Sequence, residues 1–183
     1  MVFISYKHGE PWGSLANDFR EALEVYAPVW GLEIFFDDQS MVAGHEWSAA
    51  IGEVLDEARY FVAFLCNRYW LSKECRRELE HAVGRYHDGK QTRLLFVLAE
   101  PMKPALLILD RSGDPKTLVT RRNASRVGDL LFLGPYENGT LTALARSDAE
   151  ARGVQIAAML DRLEKALLAD GVIQTSGDPA PRL

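Results

Sequence analysis

The sequence predicts an α/β fold, a doubly wound five-stranded parallel sheet of the flavodoxin-like kind. Three observations carry that expectation. Short apolar runs alternate along the chain with segments whose apolar residues recur at helical spacing. The run Tyr60 to Leu65 is almost continuously apolar, as suits a central strand buried on both faces. The length, 183 residues with 48% hydrophobic and 26% charged, suits one domain with a substantial core.

Each element has a local reason. Val2 to Tyr6 reads as the first strand. Leu15, Phe19, Ala22, Leu23 and Tyr26 then repeat at helical spacing, with Ser14 as the expected cap and Pro28 as the expected stop. Leu32 to Phe36 is the second strand, ended by Asp37-Asp38, and the loop from Asp38 to His45 carries Gly44. A helix from about Glu46 places Trp47, Ile51, Val54, Leu55 and Ala58 on one face. After the strand Tyr60 to Leu65 comes a helix from Ser72 to about Tyr86, then a fourth strand from Arg93 to Ala99. Residues 100 to 128 hold no sustained period beyond Leu106 to Leu109. Leu130 to Leu133 is a short fifth strand. Ser147 with Glu150 forms a capping box for a last helix striped by Ile156, Leu160, Leu163 and Leu167, which Gly171 ends. Residues 1–172 are thus read as the domain, and 173–183 as a flexible tail or a linker to a further C-terminal domain.

Composition excludes several classes. A net charge of −5 argues against a nucleic-acid surface. Two cysteines, Cys66 and Cys75, make no disulfide framework or zinc spacing, and the four histidines form no HExxH pair. No apolar run is long enough to span a membrane, and the chain enters a strand without a signal peptide; the expected setting is cytoplasmic. There is no GxGxxG, no GxxxxGK[ST] and no GxSxG, so dinucleotide, P-loop and α/β-hydrolase fingerprints are missing. A CheY-like phosphoacceptor at Asp37-Asp38 would need acids after the first strand and an aspartate after the third; neither is found.

Ligands of such sheets bind beyond the carboxyl ends of the strands. That rule collects Lys7, His8, Asp38, Trp70 and Glu78 into one candidate cleft. Glu78 is the sharpest candidate. At about 100° per residue, Leu79, Ala82, Val83 and Tyr86 gather on the side of Cys75, and Glu78 falls at the edge of that stripe. A carboxylate there can be partly desolvated at a cleft rim and serve as base or nucleophile. The ordinary alternative is a first-turn glutamate favoured by the helix dipole.

The same residues resemble the TIR (Toll/interleukin-1 receptor) domain family. Phe3-Ile4-Ser5-Tyr6 is similar to its first-strand box. Phe35-Phe36-Asp37 followed by Gly44 resembles its second strand and BB loop. Tyr69 through Ser72, Cys75, Glu78 and Leu79 resembles its Y-x-x-S-x-W-C-x-x-E-L signature, with Glu74 where that signature has tryptophan. In enzymatic members the signature glutamate cleaves NAD⁺ at the nicotinamide–ribose bond, so the resemblance implies a catalytic Glu78. It further implies an assembly-activated NAD⁺ nucleosidase of prokaryotic antiviral defence, giving ADP-ribose or a cyclic isomer. Tyr6, Lys7, His8, Asp38, Gly44, Trp47, Trp70 and Glu74 would border the substrate, with Lys7 facing the pyrophosphate and a tryptophan stacking on a ring. NAD⁺ would be a substrate and no cofactor or metal would be needed. Partners implied are other copies, through BB-loop contacts, and a fused or separate sensor, but neither nucleic acid nor membrane. Glu74, four residues before Glu78, would raise the pKa of Glu78 if both faced the cleft. The alternatives are a non-catalytic TIR–TIR interaction module and, on a similar sheet, a nucleoside-type N-glycosyl transferase.

Overall fold

A computed structural model describes residues 1–36, 49–90, 92–99, 131–132, 136–137, 140–141 and 148–174. Its sheet has five parallel strands in the order β2-β1-β3-β4-β5, the flavodoxin-like order. They are β1 (Val2–Tyr6), β2 (Ile34–Phe36), β3 (Tyr60–Leu65), β4 (Arg93–Leu98) and β5 (Leu131–Phe132). The helices among the described residues are α1 (Trp12–Trp30), α2 (Ala49–Glu57), α3 (Lys73–His87) and α4 (Ala149–Ala169). A two-stranded antiparallel ladder of β6 (Tyr136–Glu137) and β7 (Thr140–Leu141), which the sequence pattern does not announce, lies apart from the main sheet.

Every residue of β1 and β3 is buried, as expected for strands with helices on both faces. Leu15, Phe19 and Leu23 of α1, Ile51 and Leu55 of α2, and Leu79, Ala82 and Val83 of α3 pack into one core with them. The stripe read on the last helix is also buried: Ile156, Leu160, Leu163 and Leu167 all belong to this core.

Three helix ends differ from the sequence reading. Helix α1 begins after Pro11, so Ser14 lies inside it, donating to Glu10 Oε2 at 2.6 Å. It also runs through Pro28, because a proline in the last turn removes one hydrogen bond while buried Ala27 and Trp30 hold that turn to the core. The stop is Gly31, in the left-handed region at φ 64°, whose N–H bonds the Ala27 carbonyl. At the start of α4 the cap is Asp148, which accepts from the Ala151 N–H at 2.7 Å; Ser147 lies outside the described residues. The acidic pair Asp37-Asp38, the loop to His45, Trp47, residues 100–128 and the tail from Thr175 lie outside them too. No helix among the described residues is long and apolar enough to cross a membrane.

Asp170 ties the end of α4 to the sheet. Its carboxylate accepts from Tyr60 Oη at 2.9 Å and from Arg93 Nε at 3.0 Å, and pairs again with Arg93 through Nη2. Partial burial alone would raise its pKa; the hydrogen bonds from Arg93 and Tyr60 and the charges of Arg93 and Arg59 outweigh it and hold the carboxyl below the usual range. A depressed folded-state pKa adds stability above the unfolded value and loses it as pH falls through the folded one. Asp170→Ala should therefore cost about 1–2 kcal/mol at neutral pH. The deficit should shrink on acidification, as followed by urea denaturation at stepped pH; a deficit that grows below pH 4 would contradict this assignment.

Candidate functional site

The chain between β3 and α3 sets the site. Residues Tyr69–Leu71 make one turn of 3-10 helix, which buries Tyr69 and turns Leu71 outward. Ser72 follows in an extended conformation and caps α3, its Oγ accepting from the Cys75 N–H at 3.5 Å. The same hydroxyl donates to Glu74 Oε2 at 2.8 Å. Glu74, not Glu78, is therefore the first-turn acid at the positive end of the helix. It is exposed, and its own backbone N–H, then the Ser72 hydroxyl, hold its carboxyl below the ordinary range. Lys7 adds a weaker pull in the same direction.

The next residue of the helix faces inward. Cys75 is buried and its Sγ donates to the Tyr6 carbonyl at 3.3 Å, fastening α3 to the end of β1. Burial, followed by the negative charge of Glu78, pushes its thiol up to about 12. Glu78 lies beside it with 4% of its surface exposed. It is thus deeper than the rim position that helical periodicity suggests, and deeper than Glu74.

Among the described residues the buried polar or charged side chains are Ser5, Ser72, Glu78 and Thr92, and Glu78 is the one carboxylate of the four. One partner is Ser5, in the otherwise apolar run of β1, which donates to Glu78 Oε2 at 2.6 Å. The Ser5 oxygen also lies 2.7 Å from the hydroxyl of Tyr69. Burial, and then the charges of Cys75 and Glu78, hold the Tyr69 phenol well above its ordinary pKa, so it keeps its proton. Sequence reasoning places Ser5 and Tyr69 in family boxes without assigning them to the site. The available signal was a hydroxyl inside an apolar strand, which must find a partner when buried.

The other expected residues divide by element. Tyr6 is buried at the carboxyl end of β1, stacked on Phe36 at 4.7 Å and tilted against His8 at 4.8 Å. Lys7 and His8, which follow it, are half-buried. Trp70 is partly buried, edge-on to Tyr69 at 5.6 Å and packed on the core. Tyr6 and Lys7 therefore come from the carboxyl end of β1, Trp70 from the 3-10 turn after β3, and Glu74 and Glu78 from the first two turns of α3. Asp38, Gly44 and Trp47 lie outside the described residues. No cluster of three or more potential metal ligands occurs among the described residues. A separate groove between α1 and α4, about 630 Å³ and lined by Tyr26, Trp30, Arg152 and Ile156, includes neither Glu78 nor its partners.

The arrangement is a buried carboxylate with a fixed hydroxyl donor, at the strand ends where this sheet type binds ligands. Such a group can stabilise a developing positive charge or accept a proton in a water-poor setting. Cys75, in contrast, is a packing thiol. Neither it nor Cys66, also fully buried, should react with a thiol reagent such as Ellman's in the native protein, while both should titrate in denaturant. A fast-reacting thiol in the native protein would refute that reading of Cys75.

Comparison with known proteins bears on the same residues. A family model described as the TIR domain matches residues 2–125. No curated protein matches the chain. Among solved structures, the TIR domains of the activated Roq1 resistosome directly recognizing the pathogen effector XopQ are similar over 89% of this chain and 82% of that one. The identity there is 16% and the TM-score 0.48. The family-model match covers more than half of the sequence, from β1 through the whole of α3, and the chain belongs to the TIR domain family.

Proposed function

We propose that this TIR domain cleaves NAD⁺ between nicotinamide and ribose, with Glu78 as the catalytic carboxylate. The observation that carries the reading is the burial of Glu78 at the ligand-binding end of the sheet, held by the Ser5 hydroxyl. A buried carboxylate is costly to a fold, and a charged group kept under that cost is a functional candidate.

The chemistry suits one carboxylate. The C1′–N bond breaks with its electron pair going to the pyridinium nitrogen, so nicotinamide leaves neutral and needs no metal to assist it. Positive charge develops on the ribose as an oxocarbenium-like state, which the carboxylate stabilises. Water, or a second nucleophile of the substrate, then forms the new bond at C1′, and its proton passes to Glu78 or to solvent. Hydrolysis gives ADP-ribose; an internal nucleophile gives a cyclic isomer. NAD⁺ is substrate here, not cofactor.

Lys7 would face the pyrophosphate, and Trp70 would offer a ring for stacking. Tyr6, His8, Glu74, the BB-loop residues Asp38 and Gly44, and Trp47 complete the proposed border. Self-association through the BB loop, a sensor fused or separate, and a role in prokaryotic antiviral defence in the cytoplasm are parts of the same proposal, drawn from family membership.

Purified protein, assayed at high concentration with a crowding agent, should release nicotinamide from NAD⁺. Glu78→Ala should lower that rate about 10²–10⁴-fold, the range expected for losing an acid–base or charge-stabilising group. Chromatography of the second product names the reaction. A wild type that releases none under these conditions would overturn the proposal in favour of a TIR–TIR interaction module. Cleavage of free nucleosides in preference to NAD⁺ would point to an N-glycosyl transferase.

A further inference from the structure

We propose that Ser5 and Tyr69 are positioning residues for Glu78, forming a one-way chain of hydroxyl donors that keeps its carboxylate ionised and fixed. The chain runs from Tyr69 Oη–H to Ser5 Oγ, and from Ser5 Oγ–H to Glu78 Oε2. For turnover this inference rests on the NAD⁺-cleaving reading; for the state of the carboxylate it stands alone.

The direction follows from counting protons. Serine has one proton to donate. At 2.6 Å, Ser5 to Glu78 has the length of a charge-assisted O–H···O⁻ bond. With that proton committed, the 2.7 Å contact between Ser5 and Tyr69 requires the phenol to donate. Fully buried Tyr69 retains the proton to do so. Among the described residues, Ser5 Oγ is the hydrogen-bond partner of that phenol. With a Glu78 proton pointed at Ser5, the three groups would hold three protons for two contacts, so either the Ser5 or the Tyr69 proton would lose its acceptor within the chain. The chain is therefore satisfied with Glu78 ionised and strained with this oxygen protonated.

Three separate elements hold it. Ser5 sits near the carboxyl end of β1, paired in register with Ala63 of β3. Tyr69 is fixed in the 3-10 turn, its N–H bonded to the Cys66 carbonyl at 3.1 Å. Glu78 is on α3, anchored one turn earlier by Cys75 on the Tyr6 carbonyl. Among the described residues, Lys7, Cys66, Cys75 and the nearby Glu74 are the other ionisable groups acting on this cluster, and the variants below alter none of them.

The test is a carbon-13 NMR titration of the Glu78 carboxyl, assigned with Glu78→Gln, in the full chain. Ser5→Ala should raise its pKa by about one to two units, a 10- to 100-fold gain in proton affinity. Tyr69→Phe, which removes only the terminal donor, should raise it by less. The acidic limb of nicotinamide release should move to higher pH in the same order. A Glu78 pKa that is unchanged or lowered in both variants overturns the inference, whatever the activity. If Ser5→Ala does not fold, the Tyr69→Phe titration alone decides, with the same criterion. Should the wild type cleave no NAD⁺ while the titration shifts as stated, the functional reading fails and the hydroxyl chain stands.

Discussion

Burying one carboxylate between a strand and a helix constrains most of what surrounds it. An ionised group removed from water is tolerable only with donors aimed at it. Here the donor comes from the buried strand β1 near its carboxyl end, so that strand carries a serine where packing alone would favour another apolar residue. Tyr69 must then be buried to reach that serine, which the short 3-10 turn after β3 achieves. The start of α3 must also be fixed, and the Ser72 cap and the Cys75 thiol fix it from two sides.

These roles explain the spacing of the signature. Tyr69 and Ser72 belong to the turn and the cap, so they precede the helix. Cys75, Glu78 and Leu79 are separated by three and four residues and share its inner face. Glu74, where the family pattern has tryptophan, falls on the outer side of the first turn, where a charged residue is solvated and favoured by the helix dipole. Its substitution therefore leaves the buried contacts of Glu78 in place. The two acids occupy different environments four residues apart.

Much of the architecture was legible because it depends on period. The apolar runs of β1, β3 and β4 and the stripes of α3 and α4 are properties of local sequence, and they appear where the pattern puts them. Helix ends were less legible, since Pro28 is carried through by the burial of Ala27 and Trp30, a tertiary effect. In the site, periodicity put Glu78 at the border of a stripe but could not give its depth. That depth depends on Ser5 and Tyr69, which lie 73 residues before it and in the preceding turn. A contact at that separation leaves no mark on local pattern, beyond a hydroxyl in an apolar run.

Under the proposed NAD⁺-cleaving role, the site sets function against stability, because the carboxylate that would suit an oxocarbenium-like transition state is one that the fold would be easier to build without. The most direct measurement is turnover and thermal unfolding on the same sample of Glu78→Gln. The neutral amide keeps the size of the side chain and can still accept from Ser5. The account predicts that nicotinamide release is lost while the melting temperature is unchanged or higher. A variant that cleaves NAD⁺ at the wild-type rate, or one that loses activity only because it no longer folds, would contradict it.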